Sequence, residues 1–222
     1  MSLQGVCTQD EWLARGAFCE LLALSLRLPT LELAQALCSG EFAEALAELG
    51  ERVGLEQSQL AQATKAVTDY QGQDPDELFH TLRIEYTRLF VGAPTPVVWP
   101  YAGVWHALEQ GLEPLMFVST RAMEIERFMK GCGVGRAAEK NEPLDHIATE
   151  FEFLQYLALV NAAVIELPEL PEGLEMPDNA FDAFLAQYVT NWAGDFARST
   201  LAAAQAGFYQ AVAKAILALV LE

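Results

Sequence analysis

Residues 142–154 read EPLDHIATEFEFL and mark the start of a long core helix. Pro143 suits the beginning of a helix, because the backbone N–H that proline lacks would have no partner there. Asp145 is the predicted N-cap, since its short carboxylate can accept from the free N–H groups of the first turn. Apolar residues then recur at helical spacing, at Ile147, Phe151 and Leu154. This pattern predicts a helix that runs from Asp145 to about Glu166 with one buried face.

The same stretch also fits a binding site. Free backbone N–H groups and the imidazole of His146 converge where the loop becomes a helix, which suits an anion or a peptide. Capping is the more common reason for an aspartate at this position, and binding sites are few. Chemistry alone therefore favours a cap, and only a resemblance to known proteins changes this balance.

Composition narrows the class of partner. The 222 residues contain 13 Lys and Arg against 31 Asp and Glu, a formal charge of −18. Such a charge argues against nucleic acid and anionic membrane surfaces as partners and favours a basic partner, such as a cationic peptide. The four cysteines form no C-x-x-C pair, so we expect reduced thiols rather than disulfides or a zinc site.

No segment predicts membrane insertion or secretion. Residues 1–10 lack a basic region followed by an apolar core, so we expect no secretory signal. The longest apolar run near the end, residues 211–221, is too short to span a bilayer and contains Lys214. We therefore expect no stable membrane insertion.

Helical periodicity covers nearly the whole chain, whereas strand signals are weak. Helix starts are predicted at Thr8 with Glu11, at Thr30, at Asp74-Pro75, at Ser119 or Thr120, and at Asp178. The sequence thus predicts an all-α, single-domain bundle of roughly ten helices over residues 1–222. A linker rich in proline and acid, residues 168–177, is a candidate hinge through which two copies could exchange helices.

The loop from Gly92 to Gly103 has unusual content for a helical protein. It carries three prolines with Trp99 and Tyr101, and Trp105 follows closely. Prolines stiffen a loop, and aromatic side chains are rarely left in water without a role. The aromatic residues could form a lid over the bundle or the wall of a binding site, and both interpretations stay open.

Signatures of enzymes are sparse. There is no Gly-rich phosphate loop, no dinucleotide fingerprint and no nucleophile elbow, and the spacing of His80, His106 and His146 supports no catalytic dyad. One alternative stays open, because helical bundles can hold two metals with paired Glu-x-x-His motifs. Glu77 and His80 form one such motif, but a second is missing. A surface position is the more common fate of such a pair.

Three stretches together resemble the TorD/DmsD/NarJ family of redox enzyme maturation chaperones. The most specific match is the E-P-x-D-H signature at residues 142–146 with the helix that follows it. The others are YTRLFVG at 86–92 with the Trp99-Pro100-Tyr101 loop, and the C-terminal pattern of aromatics between Phe184 and Tyr209. The loop departs from the family pattern, because Ala102-Gly103 stands where the family has a small or acidic residue and a serine.

The resemblance implies a cytoplasmic chaperone without catalytic activity or a cofactor of its own. Relatives bind the twin-arginine signal peptide of a molybdopterin-containing oxidoreductase subunit and delay its export until the molybdenum cofactor is inserted. Its partners would be that leader and the body of the subunit. The resemblance also implies possible weak guanine nucleotide binding and a monomer or domain-swapped dimer, although the sequence has no independent nucleotide motif.

The signal-peptide-binding residues implied in this way are Trp99, Tyr101, Trp105, Glu142, Asp145 and His146. We expect Glu142 and Asp145 to face the arginines of the leader, since paired carboxylates match guanidinium geometry. His146 would orient Asp145 or sense its charge. The three aromatic residues would contact the apolar part of the leader, in a helix-in-groove mode, where the helix start faces the aromatic loop.

Overall fold

The computed structural model describes residues 7–112, 120–135, 143–170, 176–177 and 179–220. Within these ranges the chain is helical, and the only strand-like pairing is one antiparallel bridge between Tyr101 and His146. The helices are α1 (Gln9–Ser25), α2 (Leu31–Ser39), α3 (Glu41–Arg52), α4 (Gln57–Thr68), α5 (Pro75–Tyr86), α6 (Ala102–Glu109), α7 (Thr120–Gly131), α8 (Ile147–Asn161), α9 (Ala180–Phe184), α10 (Thr190–Ala203) and α11 (Gly207–Val220).

Two π-helical turns continue these helices. Thr87–Val91 extends α5, and Leu185–Val189 connects α9 to α10 without a break. The described ranges therefore contain ten continuous helical segments, which confirms the predicted all-α bundle. The single-domain organisation stays a prediction, and the predicted linker 168–177 lies partly outside the described residues.

The core is built around α8, which packs along α1, while α10 and α4 pack against α11. Phenylalanine dominates where these helices meet, because a large ring removes much apolar surface from water. The largest fully buried rings are Tyr209, Phe18, Phe151, Phe184, Phe196 and Phe208. Phe151 belongs to the apolar stripe that predicted α8, so this stripe does face the core.

Local capping signals predicted several helix starts correctly. Thr8 and Glu11 form a complete capping box, and the side chains of Thr30 and Asp74 accept from the first turns of α2 and α5. Ser119 and Asp178 lie outside the described residues. The α9 helix starts at Ala180 after Asn179, whose side chain makes no capping hydrogen bond.

The start of α8 differs from the prediction. Its N-cap is His146, whose ring nitrogen accepts from the N–H of Ala148, and not Asp145. The helix ends at Asn161 rather than near Glu166. Asp145 is displaced from the capping role because its carboxylate binds another helix, as described below.

A partly buried ion pair fixes the corner between α10 and α11. The guanidinium of Arg88 donates to both carboxylate oxygens of Glu85 at 2.7 and 2.8 Å, and also to the carbonyl of Ala203 at 2.7 Å. Glu85 in turn accepts from the N–H of Gln205 at 2.6 Å. The pair thus satisfies polar backbone groups on both sides of the corner, where the helices leave them without partners.

Across the described part of the chain, every helix is too short or too polar to cross a bilayer.

Candidate functional site

The proline-rich loop begins with a tight turn that only glycine fits. Gly92 has φ +38°, and a Cβ there would lie 2.5 Å from the carbonyl oxygen of Thr95. The loop then returns along the preceding helix, where the N–H of Val98 donates to the carbonyl of Leu89 at 2.8 Å. This geometry directs Trp99 and Tyr101 back toward the body of the bundle.

The loop pairs with the residues that precede α8. The N–H of Ala102 donates to the carbonyl of Asp145, and the N–H of Ile147 donates to the carbonyl of Pro100, both at 2.9 Å. Between these two bonds the rings of Tyr101 and His146 meet edge to face, with centroids 5.3 Å apart. The aromatic loop and the start of α8 therefore meet, as the sequence predicts.

Trp105 holds the loop from the other side. Its indole N–H donates to the carbonyl of Trp99 at 2.7 Å, and both indoles are partly buried. The five predicted site residues that the structure describes thus lie in one region. Glu142 lies outside the described residues.

Asp145 is buried, with 3 % of its surface exposed, and its carboxylate binds inside the protein. Its Oδ2 atom accepts from the N–H of Gly103 at 2.9 Å. Gly103 lies in the first turn of α6, whose N-cap Tyr101 makes no side-chain capping bond. Asp145 therefore caps α6 from a distant part of the sequence, and a ligand arginine reaches it only if this region opens.

His146 is also buried, with 2 % of its surface exposed. Its Nδ1 atom accepts from the N–H of Ala148 at 3.1 Å, which requires that this nitrogen carries no proton. Burial lowers the pKa of His146 to about 3, and the nearby Arg27 guanidinium acts in the same direction. The imidazole is therefore neutral at physiological pH and acts as a cap and a packing surface for Tyr101.

Glu150 is a buried carboxyl next to Asp145 that is not among the residues implied by the family resemblance. It has no exposed surface, and its Oε2 accepts from the indole N–H of Trp192 at 3.1 Å. Its Oε1 has no hydrogen-bond partner among the residues that the structure describes. Burial raises the pKa of Glu150 well above its usual range, and the neighbouring Asp145 raises it further, whereas Trp192 and Arg121 oppose this. Its position between Ile147 and Phe151 on the apolar stripe was the available signal of burial.

Above this region lies a cleft of about 290 Å³ between α6, the start of α7 and α10. We call it the α6–α10 cleft; its lining residues are Ala102, Trp105, His106, Glu109, Arg121, Asn191, Trp192 and Asp195. The indoles of Trp105 and Trp192 supply apolar surface, and the exposed carboxylates of Glu109 and Asp195 stand on opposite helices. A cleft with aromatic surface and two acidic side chains suits a cationic ligand with an apolar part.

Arg121 is the arginine that lines the cleft, and its guanidinium is already bound by other groups of the protein. Its guanidinium lies 4.5 Å from the ring centroid of Tyr188, forms an ion pair with Glu124 and donates to the carbonyl of Gln187. These contacts reduce its repulsion of an incoming cation.

The predicted site residues have different positions relative to this cleft. Trp105 lines it directly, whereas Trp99 and Tyr101 lie partly buried in the loop beside it. Asp145 and His146 lie beneath, hydrogen-bonded to the protein. Glu109, Asn191, Trp192 and Asp195 were missed, because their proximity arises from packing of α6 against α10 and no local pattern signals it.

The metal-enzyme alternative gains no support from the described residues. They contain no group of three or more His, Cys, Asp or Glu side chains placed to hold a metal ion. Glu77 and His80 are both exposed on the outer surface of α5, as their surface interpretation predicts.

Comparison with known proteins shows that residues 39–198 match a family described as nitrate reductase delta subunit. Chaperone protein TorD of Photobacterium profundum is 32% identical over 137 residues, which cover 62% of this chain and 59% of the relative. Chaperone protein TorD of Vibrio cholerae is 26% identical over 148 residues, which cover 67% of this chain and 63% of the relative. The chain thus spans about three fifths of the length of these relatives.

A solved structure has the same fold. The crystal structure described as that of a redox enzyme maturation protein from Archaeoglobus fulgidus superposes with a TM-score of 0.54. The match covers 93% of this chain and 94% of that chain, at 20% sequence identity. At this level of sequence identity, the match shows that the two chains share a fold.

Proposed function

This chain belongs to the TorD/NarJ family of redox enzyme maturation chaperones, and on that basis we propose that it binds the twin-arginine signal peptide of a molybdopterin-containing oxidoreductase subunit. It acts in the cytoplasm and without catalysis. It keeps the subunit from export until the molybdenum cofactor has been inserted into that subunit.

The observation that carries this proposal is the α6–α10 cleft beside the start of α8. A twin-arginine leader brings two adjacent guanidinium groups, and the cleft offers Glu109 on one wall and Asp195 on the other. Guanidinium groups pair with carboxylates and stack on indoles, so the partly exposed Trp105 fits the same ligand. The formal charge of −18 attracts such a peptide over a longer range.

The acidic rim can exchange its present partners for those of a ligand. Asp195 pairs with Arg198 at 2.7 Å, but more than half of each side chain is exposed, and Glu109 lies 3.8 Å from His106 on the surface. Exposed pairs of this kind contribute only about 0–1 kcal/mol, so a leader arginine can displace them at little cost. We therefore assign the leader arginines to Glu109 and Asp195, and give the buried Asp145 the task of positioning α6.

The proposal is tested by calorimetry with a twin-arginine leader peptide and the variant Glu109→Gln with Asp195→Asn. Both side chains are exposed, so the double variant should fold normally, and we expect affinity to fall about three- to tenfold. The matched control Asp76→Asn with Glu77→Gln removes two exposed charges from α5, a helix that does not line the cleft, and should bind like the wild type.

Two results would count against the proposal. If wild-type protein does not bind the leader, the assigned partner is wrong. If it binds and both double variants lose affinity equally, the peptide responds only to total charge, and the cleft is not its site.

A further inference from the structure

A second recess lies where α1, α2 and α3 meet. This recess, the α1–α3 groove, has a volume of about 470 Å³, which falls within the range of roughly 300–1,000 Å³ typical of ligand sites. Its principal apolar lining residues are Leu21, Leu24, Leu28, Leu33, Phe42 and Leu49. Leu24 is 59% exposed and Leu28 is 42% exposed, so a substantial apolar surface faces solvent here.

The groove is formed where apolar stripes on α1 and α3 extend from the buried core to the surface. On α1, Leu21 faces the core and Leu24 follows three residues later, on the solvent side of the same stripe. On α3, Phe42 and Leu49 are two turns apart and flank the groove from the opposite side. Three helices that converge in this way form the concave apolar surface into which an amphipathic or apolar helix can pack.

The charges around the groove point to the chemistry of its ligand. The carboxylates of Glu20 and Glu32 are exposed on its rim. Arg27 is the basic side chain among the described residues that line the groove. Its guanidinium donates to Glu152 at 2.8 and 3.0 Å and to Thr149 at 2.9 Å. The rim therefore favours an apolar segment that is accompanied by basic residues.

The first turns of α8 connect the groove to the cleft. Thr149 and Glu152 hold Arg27 at the end of the groove, and Asp145 holds the start of α6 at the edge of the cleft. A peptide with a basic part and an apolar part could thus contact both recesses beside the same helix end.

From these features we infer that the α1–α3 groove binds the apolar stretch of the leader, as a helix, while the arginine pair lies in the α6–α10 cleft. This inference rests on the proposed function and extends it, because it assigns the second half of the ligand to a different surface. The exposed leucines would become buried in the complex, which supplies hydrophobic stabilisation that the small cleft cannot.

The inference is tested with the variant Leu24→Gln with Leu28→Gln, whose changes lie at exposed positions and keep the charge constant. We expect the affinity for the full leader to fall at least about tenfold. The matched control Ile84→Gln with Val164→Gln alters two exposed apolar residues outside the groove, 72% and 56% exposed, and should bind like the wild type. A leader whose apolar stretch carries serines in place of leucines should bind wild type and groove variant equally weakly.

Photo-crosslinking supplies an independent readout. A benzophenone side chain placed in the apolar stretch of the leader should label peptides from residues 9–49, whereas one placed beside the arginine pair should label α6 or α10. Labelling of α6 or α10 from both positions would overturn the inference and leave the proposed function intact.

The possible failures are distinguishable. If the wild type does not bind the leader, the proposed function fails and the inference fails with it. If it binds, but the groove variant binds equally well, only the groove assignment is wrong. If the groove variant keeps its affinity but loses self-association in analytical ultracentrifugation, the groove is an interface between two copies of this chain, and the inference is likewise overturned.

Discussion

The carboxylate of Asp145 accepts a hydrogen bond from the N–H of Gly103 at 2.9 Å and thereby caps α6, although 42 residues separate the two along the chain. This bond links the aspartate of the E-P-x-D-H stretch to the helix that follows the aromatic loop. The histidine caps its own helix, α8, and the aspartate caps the helix that follows the loop. Two neighbouring side chains thus fix both helix starts at the edge of the cleft.

Replacement of Asp145 by alanine should destabilise this region. The change leaves the N–H of Gly103 without its acceptor and removes a buried carboxylate, so we expect the free energy of unfolding to fall by about 1–3 kcal/mol. Asp145→Asn keeps an acceptor oxygen and should cost less. Denaturant unfolding gives the size of the effect, and hydrogen exchange at the Gly103 amide locates it. Unchanged protection of that amide in Asp145→Ala would show that the cap does not act in solution.

His146 should make the protein sensitive to acid. Because its folded-state pKa of about 3 lies below the unfolded value near 6.5, the unfolded state binds a proton more readily across this interval. Stability is therefore fully present above about pH 6.5 and falls as the pH is lowered toward 3, by at most about 1.4 kcal/mol per pH unit.

The variant His146→Asn isolates this contribution, since asparagine can cap the helix but does not titrate. Urea unfolding of both proteins between about pH 7.5 and pH 4 should show a difference that shifts in favour of the variant as the pH falls. If the two stability curves run parallel over this interval, the imidazole is not held neutral by the fold.

Glu150 should have the opposite dependence on pH. Its folded-state pKa is raised, so the unfolded state loses its proton first as the pH rises above about 4.5, and stability falls from there upward. The isosteric change Glu150→Gln keeps an acceptor for the indole of Trp192 and removes the titration. We expect the variant to gain stability relative to the wild type as the pH increases from about 5 to 8.

A second variant checks the assigned cause. Trp192→Phe removes the indole N–H that favours the charged form of Glu150, so the loss of stability with rising pH should become larger than in the wild type. A shallower dependence in Trp192→Phe would contradict this account of the buried carboxyl.

Interactions between residues close in sequence could be predicted from the sequence, whereas interactions between distant residues could not. The caps Thr8, Thr30 and Asp74 were predictable, because each bonds to residues two or three positions away. Asp145 was assigned to the wrong helix, because its partner Gly103 lies in a loop whose path depends on tertiary packing. The all-α architecture followed from periodicity alone.

The candidate site was predictable only in part. The family resemblance indicated that the aromatic loop and the start of α8 belong together, and the bridge between Tyr101 and His146 places them in contact. Their burial was not foreseen, since a charged or polar residue is normally expected at the surface. Trp192 and Asp195 lie on α10, and no local pattern could relate them to α6.

Arg88 should be important for stability although a third of its side chain is exposed. Arg88→Ala leaves the buried carboxylate of Glu85 with only backbone N–H donors and removes the donor to the Ala203 carbonyl. Loss of one partner from a fully buried pair costs about 3–5 kcal/mol, and the partial exposure here reduces the expected loss to roughly 2–3 kcal/mol. Denaturant unfolding at neutral pH measures this change.

The double variant Arg88→Ala with Glu85→Gln separates the lost ion pair from lost packing. Glutamine carries no charge that would be left unpaired, and its side-chain oxygen can still accept from the N–H of Gln205. Part of the lost stability should therefore return. Arg88→Lys keeps the charge but not the two-pronged geometry and should lie between wild type and Arg88→Ala. If the double variant is less stable than Arg88→Ala by the full cost of Glu85→Gln alone, the two side chains act independently, and the corner between α10 and α11 does not depend on their pairing.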